Sequence, residues 1–101
     1  MTLLKKERLD GDTVRAEVEI VNQLGLHARA AARFVETASR FDAEVTVANG
    51  DESVSGKSIL GLMMLAAGLG TPLTIVATGA DAEAAIDALA ELISQRFHES
   101  A

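Results

Sequence analysis

The sequence predicts an α+β fold, an open-faced β-sandwich in which a four-stranded, mostly antiparallel sheet carries three helices on one face. Three observations carry that prediction. Stretches of alternating apolar and polar residues are interleaved with stretches whose apolar residues recur every three or four positions, in the order βαββαβα. Asn49-Gly50-Asp51 separates two of the alternating stretches as a hairpin turn does. The remaining strands are joined through helices, and connections that alternate hairpin and crossover place the helices together on one side of the sheet.

Residues 1–12 are polar and of mixed charge and end in Asp10-Gly11-Asp12. They read as a loosely attached N-terminal extension before a domain over residues 13–101, with prolongation of the first strand as the alternative. From Thr13, the residues Val14, Ala16, Val18 and Ile20 alternate with Arg15, Glu17 and Glu19, the pattern of a half-buried strand that stops at the turn Asn22-Gln23-Leu24-Gly25. A helix beginning near His27 follows. Ala31, Phe34, Val35, Ala38 and Phe41 share its apolar side, and Arg33, Glu36, Thr37 and Arg40 its polar side.

Glu44–Ala48 and Glu52–Ser55 form the two arms of the hairpin, and Ser58 starts a short, apolar second helix that Gly68 and Gly70 end. The fourth strand, over residues 71–79, keeps its only proline at the start, where a lost ladder donor costs least. Asp81 caps the last helix, whose buried stripe is Ala85, Ile86, Leu89, Leu92, Ile93 and Phe97, with Glu83, Asp87 and Glu91 outward.

Composition narrows the function. Of 101 residues, 49% are apolar, 24% charged and only 3% aromatic, so one small domain must fill its core with Ala, Val, Leu and Ile. The net charge of -6, with no basic run, argues against nucleic acid as a partner. Without cysteine, and with two isolated histidines, the chain offers no disulfide framework, thiolate nucleophile or metal cluster, and no cofactor is expected. No apolar run reaches membrane-spanning length and no secretory leader opens the chain, so a cytoplasmic monomer is expected.

One stretch carries chemistry. Gly25 to Arg33 reads GLHARAAAR, which sets an imidazole at a helix mouth between a glycine turn and the cation Arg29. A helix start gathers unpaired backbone N–H groups and the positive end of the dipole, and is thereby an anion site. An imidazole is largely unprotonated and nucleophilic at neutral pH, so His27 suits a phosphoryl acceptor, with Arg29 and the amides on the phosphate oxygens. On spacing alone, a plain helix cap with Arg29 solvated is the commoner use of such a histidine. His98, near the C-terminus, reads as a surface cation at a helix end.

Two motifs, GLHARAAARFV and GKSILGLMML, in this order and at this separation, resemble the HPr family, the histidine phosphocarrier proteins of the bacterial phosphoenolpyruvate-dependent phosphotransferase system. The resemblance spans Thr13 to the C-terminus. It implies that Nδ1 of His27 accepts a phosphoryl group from Enzyme I and passes it to an enzyme IIA component, with Arg29 stabilising the transferred charge, and that the chain is a relay rather than an enzyme. Ser58 matches the family's regulatory serine, the target of an HPr kinase/phosphorylase, and is equally a simple N-cap. Ile59, Leu60 and Met63 are expected to dock partners, since so short a helix cannot turn every apolar residue inward, although each also suits the core.

The family's proline after the active arginine is Ala30 here, a change that adds a backbone N–H and leaves transfer feasible. That alanine and the lead-in point towards the nitrogen-related or regulatory relay rather than sugar uptake. Two other classes compete: an HPr-like interaction protein acting through Ser58 without transfer, which would not need His27, and a small ligand-binding regulatory domain, for which no convergent polar set is present. An all-helical phosphotransfer domain has no place for the strand over Val14–Ile20.

Overall fold

The computed structural model describes residues 2–99. Five strands, β1 (Leu3–Arg8), β2 (Thr13–Glu19), β3 (Glu44–Asn49), β4 (Glu52–Ser55) and β5 (Pro72–Thr78), form one sheet in the order β1-β2-β5-β3-β4. Every pairing in it is antiparallel. Three helices, α1 (Ala28–Ala38), α2 (Ile59–Met64) and α3 (Ala82–Ser94), cover one face, and a 3-10 turn over Arg96–His98 follows α3. The expected open-faced sandwich is therefore present, with one strand more than predicted.

The alternation read from the sequence sets the register. Val14, Ala16 and Val18 of β2 lie opposite Ala77, Ile75 and Leu73 of β5, so a single face receives all six side chains. Val45 and Val47 of β3 continue that face across Ala77 and Ile75. Against it pack Ala31, Phe34 and Ala38 of α1, Leu62 of α2 and Ile86, Leu89 and Ile93 of α3, all buried. With so few aromatic residues, Phe34 and Phe97 are the largest side chains fully inside.

Four expectations need correction. The expected loose extension instead contains β1, which pairs along β2 from Leu3 opposite Val18 to Arg8 opposite Val14. Its alternation is hidden because two of the residues facing the helices, Lys6 and Arg8, are cations. Lys6 reaches Glu83 at 3.3 Å and Asp87 at 3.0 Å, and Arg8 reaches Glu83 at 2.5 Å, so the polar heads are tethered to α3 while the stems cover the sheet edge. On the opposite face Glu7 meets Arg15 at 3.2 Å. Lys6 and Arg8 together hold the Glu83 carboxyl below its usual range, Lys6 having the larger effect.

Thr37, placed on the polar side of α1, is buried. The second helix ends at Met64 rather than at the glycines. Ala66 turns left-handed at φ 52°, the side chain of Asn49 donates to the Leu65 carbonyl at 2.9 Å, and Leu65 and Ala67 dive into the core, which stops the helix early. Asp81 occupies the cap position of α3 but makes no side-chain cap bond, because its carboxylate accepts from the backbone N–H of Asp42 at 2.8 Å.

Truncating Phe34 to alanine removes a fully buried ring from the sheet-helix interface and should cost about 3–5 kcal/mol in urea unfolding. Leu60→Ala, at a side chain left in solvent, should stay within about 0.5 kcal/mol of the parent protein.

Candidate functional site

The site begins with a glycine. Gly25 has φ 68°, in the left-handed region, and a Cβ built on it would lie 2.4 Å from the carbonyl oxygen of Ala67 and 2.8 Å from Cα of Gly68. Only glycine permits that approach. It lets the Leu26 N–H donate to the Ala67 carbonyl at 2.8 Å, joining the start of α1 to the segment that leaves α2. The preceding turn is held by Asn22, fully buried, whose side-chain amide donates to the Gly25 carbonyl at 2.8 Å.

His27 follows as the N-cap of α1, in extended backbone conformation (φ -76°, ψ 179°), with its carbonyl accepting from Ala31 N–H at 2.8 Å. Its side chain does not cap the helix. The N–H groups of Ala28, Arg29 and Ala30 precede the first helical hydrogen bond, and no acidic residue occupies the first turn, so positive potential gathers there. Arg29 is exposed on that turn. An open cavity of about 570 Å³ lies over it, lined by Leu24, His27, Arg29, Arg33, Phe97 and Glu99 among others.

The far wall comes from the C-terminal segment. After α3, Arg96, Phe97 and His98 all take left-handed backbone conformations, with φ of 57°, 55° and 60°. Each costs about 1–2 kcal/mol for a residue with a side chain. What holds the bend is Phe97, only 1% exposed, whose carbonyl also accepts from the guanidinium of Arg33. The bend delivers Glu99 to the back of the site. One oxygen of its carboxylate, Oε1, lies 3.0 Å from the amide nitrogen of Asn22 and 3.0 Å from Nε2 of His27. The Glu99 side chain is 9% exposed and that of His27 30%. Donation by Asn22 is the main cause that holds the Glu99 carboxyl below its usual range; the His27 contact adds to it against the opposing effect of burial.

Of the residues anticipated from sequence, His27 and Arg29 stand together at the mouth of α1. Ser58 stands apart from the cavity lining, at the start of α2, where its hydroxyl oxygen accepts from Gly61 N–H at 2.9 Å. Ile59, Leu60 and Met63 all project into solvent, Leu60 being 69% exposed, whereas Leu62 and Leu65 of the same segment are buried. Met64, Leu24 and Leu69 are exposed as well. Four residues at the site were not singled out as such: Asn22, Arg33, Glu99 and His98, the last of which lines the same cavity as His27. The signal available was Phe97. An aromatic residue on the buried stripe beyond a polar run obliges the chain to return to the core, and whatever follows it must lie beside the helix ends.

Comparison with known proteins agrees with this geometry. Residues 14–95 match the family described as the PTS HPr component phosphorylation site, PTS being the phosphotransferase system. A phosphocarrier protein NPr of Shewanella violacea is 46% identical over 84 residues, which cover 83% of this chain and 92% of that one. A phosphocarrier protein HPr of Neisseria meningitidis is 50% identical over 86 residues, 85% of this chain and 97% of the relative. Among solved structures, HPr-C-His from Thermoanaerobacter tengcongensis superposes with a TM-score of 0.81 at 42% identity, covering 86% of this chain and 98% of that one. The chain belongs to the HPr family of phosphocarriers of the phosphotransferase system, proteins that relay phosphate and are not themselves enzymes.

Two outcomes follow from this geometry. Gly25→Ala adds left-handed strain to a clash with the Ala67 backbone, and should cost at least about 1–3 kcal/mol in denaturant unfolding. Because folding lowers the Glu99 pKa, the stabilisation its carboxylate provides is fully present above the ordinary glutamate value and is lost as pH falls through the depressed one. The side-chain amide resonances of Asn22 should therefore titrate with a midpoint below that of an unperturbed glutamate. A midpoint at or above that value would contradict the contact.

Proposed function

We propose that His27 is the residue of this phosphocarrier that takes the phosphoryl group, receiving it from phosphohistidine on Enzyme I and delivering it to an enzyme IIA component. The observation that carries this reading is the setting of His27: a histidine at a helix N-terminus whose first-turn amides carry no acidic neighbour, open to a cavity that Arg29 also lines. In the transfer, the Nδ1 lone pair forms a bond to phosphorus as the phosphorus–nitrogen bond of the donor ring breaks, with the two nitrogens in line. The donor leaves as a neutral imidazole, and its positive charge passes to the ring of His27. Arg29 and the first-turn amides are placed to share the charge of the phosphoryl oxygens as they pass, so the work is positioning and electrostatics.

The exposed side chains Ile59, Leu60 and Met63 supply the docking surface in this reading, together with Leu24 at the cavity rim. Apolar residues unable to reach the core suit brief contacts with more than one partner, and methionine adapts to differing shapes. Ser58 is the regulatory position, modified by an HPr kinase/phosphorylase. A phosphate there would still offer acceptors to the first-turn amides of α2, yet would bring about -1.5 to -2 charge to the base of the docking helix, against partners with acidic contact surfaces.

Incubation with phosphoenolpyruvate and purified Enzyme I should add one acid-labile phosphate to the parent chain, seen by intact mass, and none to His27→Ala. Arg29→Ala should still be labelled, roughly 10²-fold more slowly. If His27→Ala is labelled like the parent, the acceptor lies elsewhere. Ser58→Asp, mimicking the modified state, should raise the half-saturating concentration for Enzyme I while leaving the urea midpoint close to that of the parent, because aspartate also caps the helix; coupling equal to that of Ser58→Ala would remove Ser58 from regulation.

A further inference from the structure

We propose that Glu99 is a positioning residue for phosphoryl transfer: its carboxylate takes the Nε2–H of His27, fixes the ring tautomer so that Nδ1 keeps its lone pair, and stabilises the positive charge the ring acquires. This rests on the reading of His27 as the phosphoryl acceptor. The geometry is a carboxylate oxygen 3.0 Å from one ring nitrogen. An ionised carboxylate can only accept, so the nitrogen facing it carries the proton, and in a neutral imidazole the other nitrogen must then be bare. That second nitrogen is the one the transfer needs.

The orientation is over-determined. Asn22 faces two acceptors, the Gly25 carbonyl and Glu99 Oε1, so its NH₂ group must point to both, and it ties Glu99 to the turn that precedes His27. Both donors converge on Oε1, while Oε2 is buried without a partner among the described residues. A mostly buried carboxylate is costly unless its charge is met. What Glu99 gains by lying inward is its contacts with Asn22 and with the histidine.

The charge balance gives the contact its role. When Nδ1 takes the phosphoryl group, Nε2 retains its proton and the ring becomes a phosphoimidazolium. Its N–H then donates to a carboxylate 3.0 Å away, a charge-assisted hydrogen bond stronger than the one made by the neutral ring. The same logic governs the buried carboxylate behind a catalytic histidine in acyl transfer, which holds the tautomer and supports the imidazolium without taking the proton.

The test uses the full chain as wild type, Glu99→Ala and Glu99→Gln. Imidazole nitrogen resonances of ¹⁵N-labelled protein report the tautomer, and the rate of labelling from phosphoenolpyruvate through Enzyme I reports acceptance. In the wild type the neutral ring should be protonated at Nε2. Glu99→Ala should populate the Nδ1–H tautomer and slow acceptance about 10-fold. Glu99→Gln, whose amide oxygen can accept from Nε2–H but carries no charge, should restore the tautomer and only part of the rate. An unchanged tautomer in Glu99→Ala, at whatever rate, overturns the proposal, because Glu99 would then be no more than a packing element. A wild type that takes no phosphate, yet shows the tautomer difference, overturns the acceptor role of His27 and with it any transfer role for Glu99.

Discussion

The close approach of Gly25 to the Ala67–Gly68 backbone is the constraint on which the functional end of the molecule depends. It lets the amide of Leu26 reach the carbonyl of Ala67, and so decides where α1 begins relative to the exit from α2. From the same exit the chain turns into β5, with the Gly70 N–H on the Ile20 carbonyl at 2.7 Å and the Ile20 N–H on the Thr71 carbonyl at 3.0 Å. The end of β2, the start of α1 and the start of β5 are thereby fastened at one place. His27 is the second residue after Gly25, so its position is inherited from sheet packing rather than from a flexible loop.

Most of the fold was legible because its buried face reads as an uninterrupted code. Val14, Ala16 and Val18 alternate in sequence and pair with alternating residues of β5, so period and register say the same thing. The code failed where polar side chains took inward positions. Lys6 and Arg8 face the helix layer, but their charges escape the core through carboxylates of α3, and no hydropathy pattern registers a residue whose stem is covered and whose head is not. Thr37 failed for the opposite reason, being small enough to be buried on a face otherwise read as polar.

At the site, His27 and Arg29 were legible from a local motif: five consecutive residues contain the turn, the imidazole and the cation. Glu99 was not, since it lies 72 residues away from His27 along the chain and beyond the last regular helix. Nothing in the periodicity of α3 foretells three left-handed residues, none of them glycine, after its end. They are imposed by the burial of Phe97, a tertiary demand that overrides local preference, and the site is completed by the part of the chain for which sequence rules are weakest.

A relay protein must meet partners without being joined by them permanently, and the strand β1 bears on that. Without it, β2 would present a free row of amides and carbonyls, the feature through which sheets of separate molecules extend into one another. β1 occupies that row and then offers a poor template of its own: its pairing is irregular between Leu3 and Lys5, and Lys5, Lys6 and Arg8 crowd it with cations. The opposite edge is the four-residue β4, too short to recruit a stranger's strand. Both margins of the sheet are thus unfavourable to continuous cross-β growth, and the exposed apolar side chains Ile59, Leu60, Met63 and Met64 sit on a helix, where contact can be made and broken without exchanging backbone hydrogen bonds.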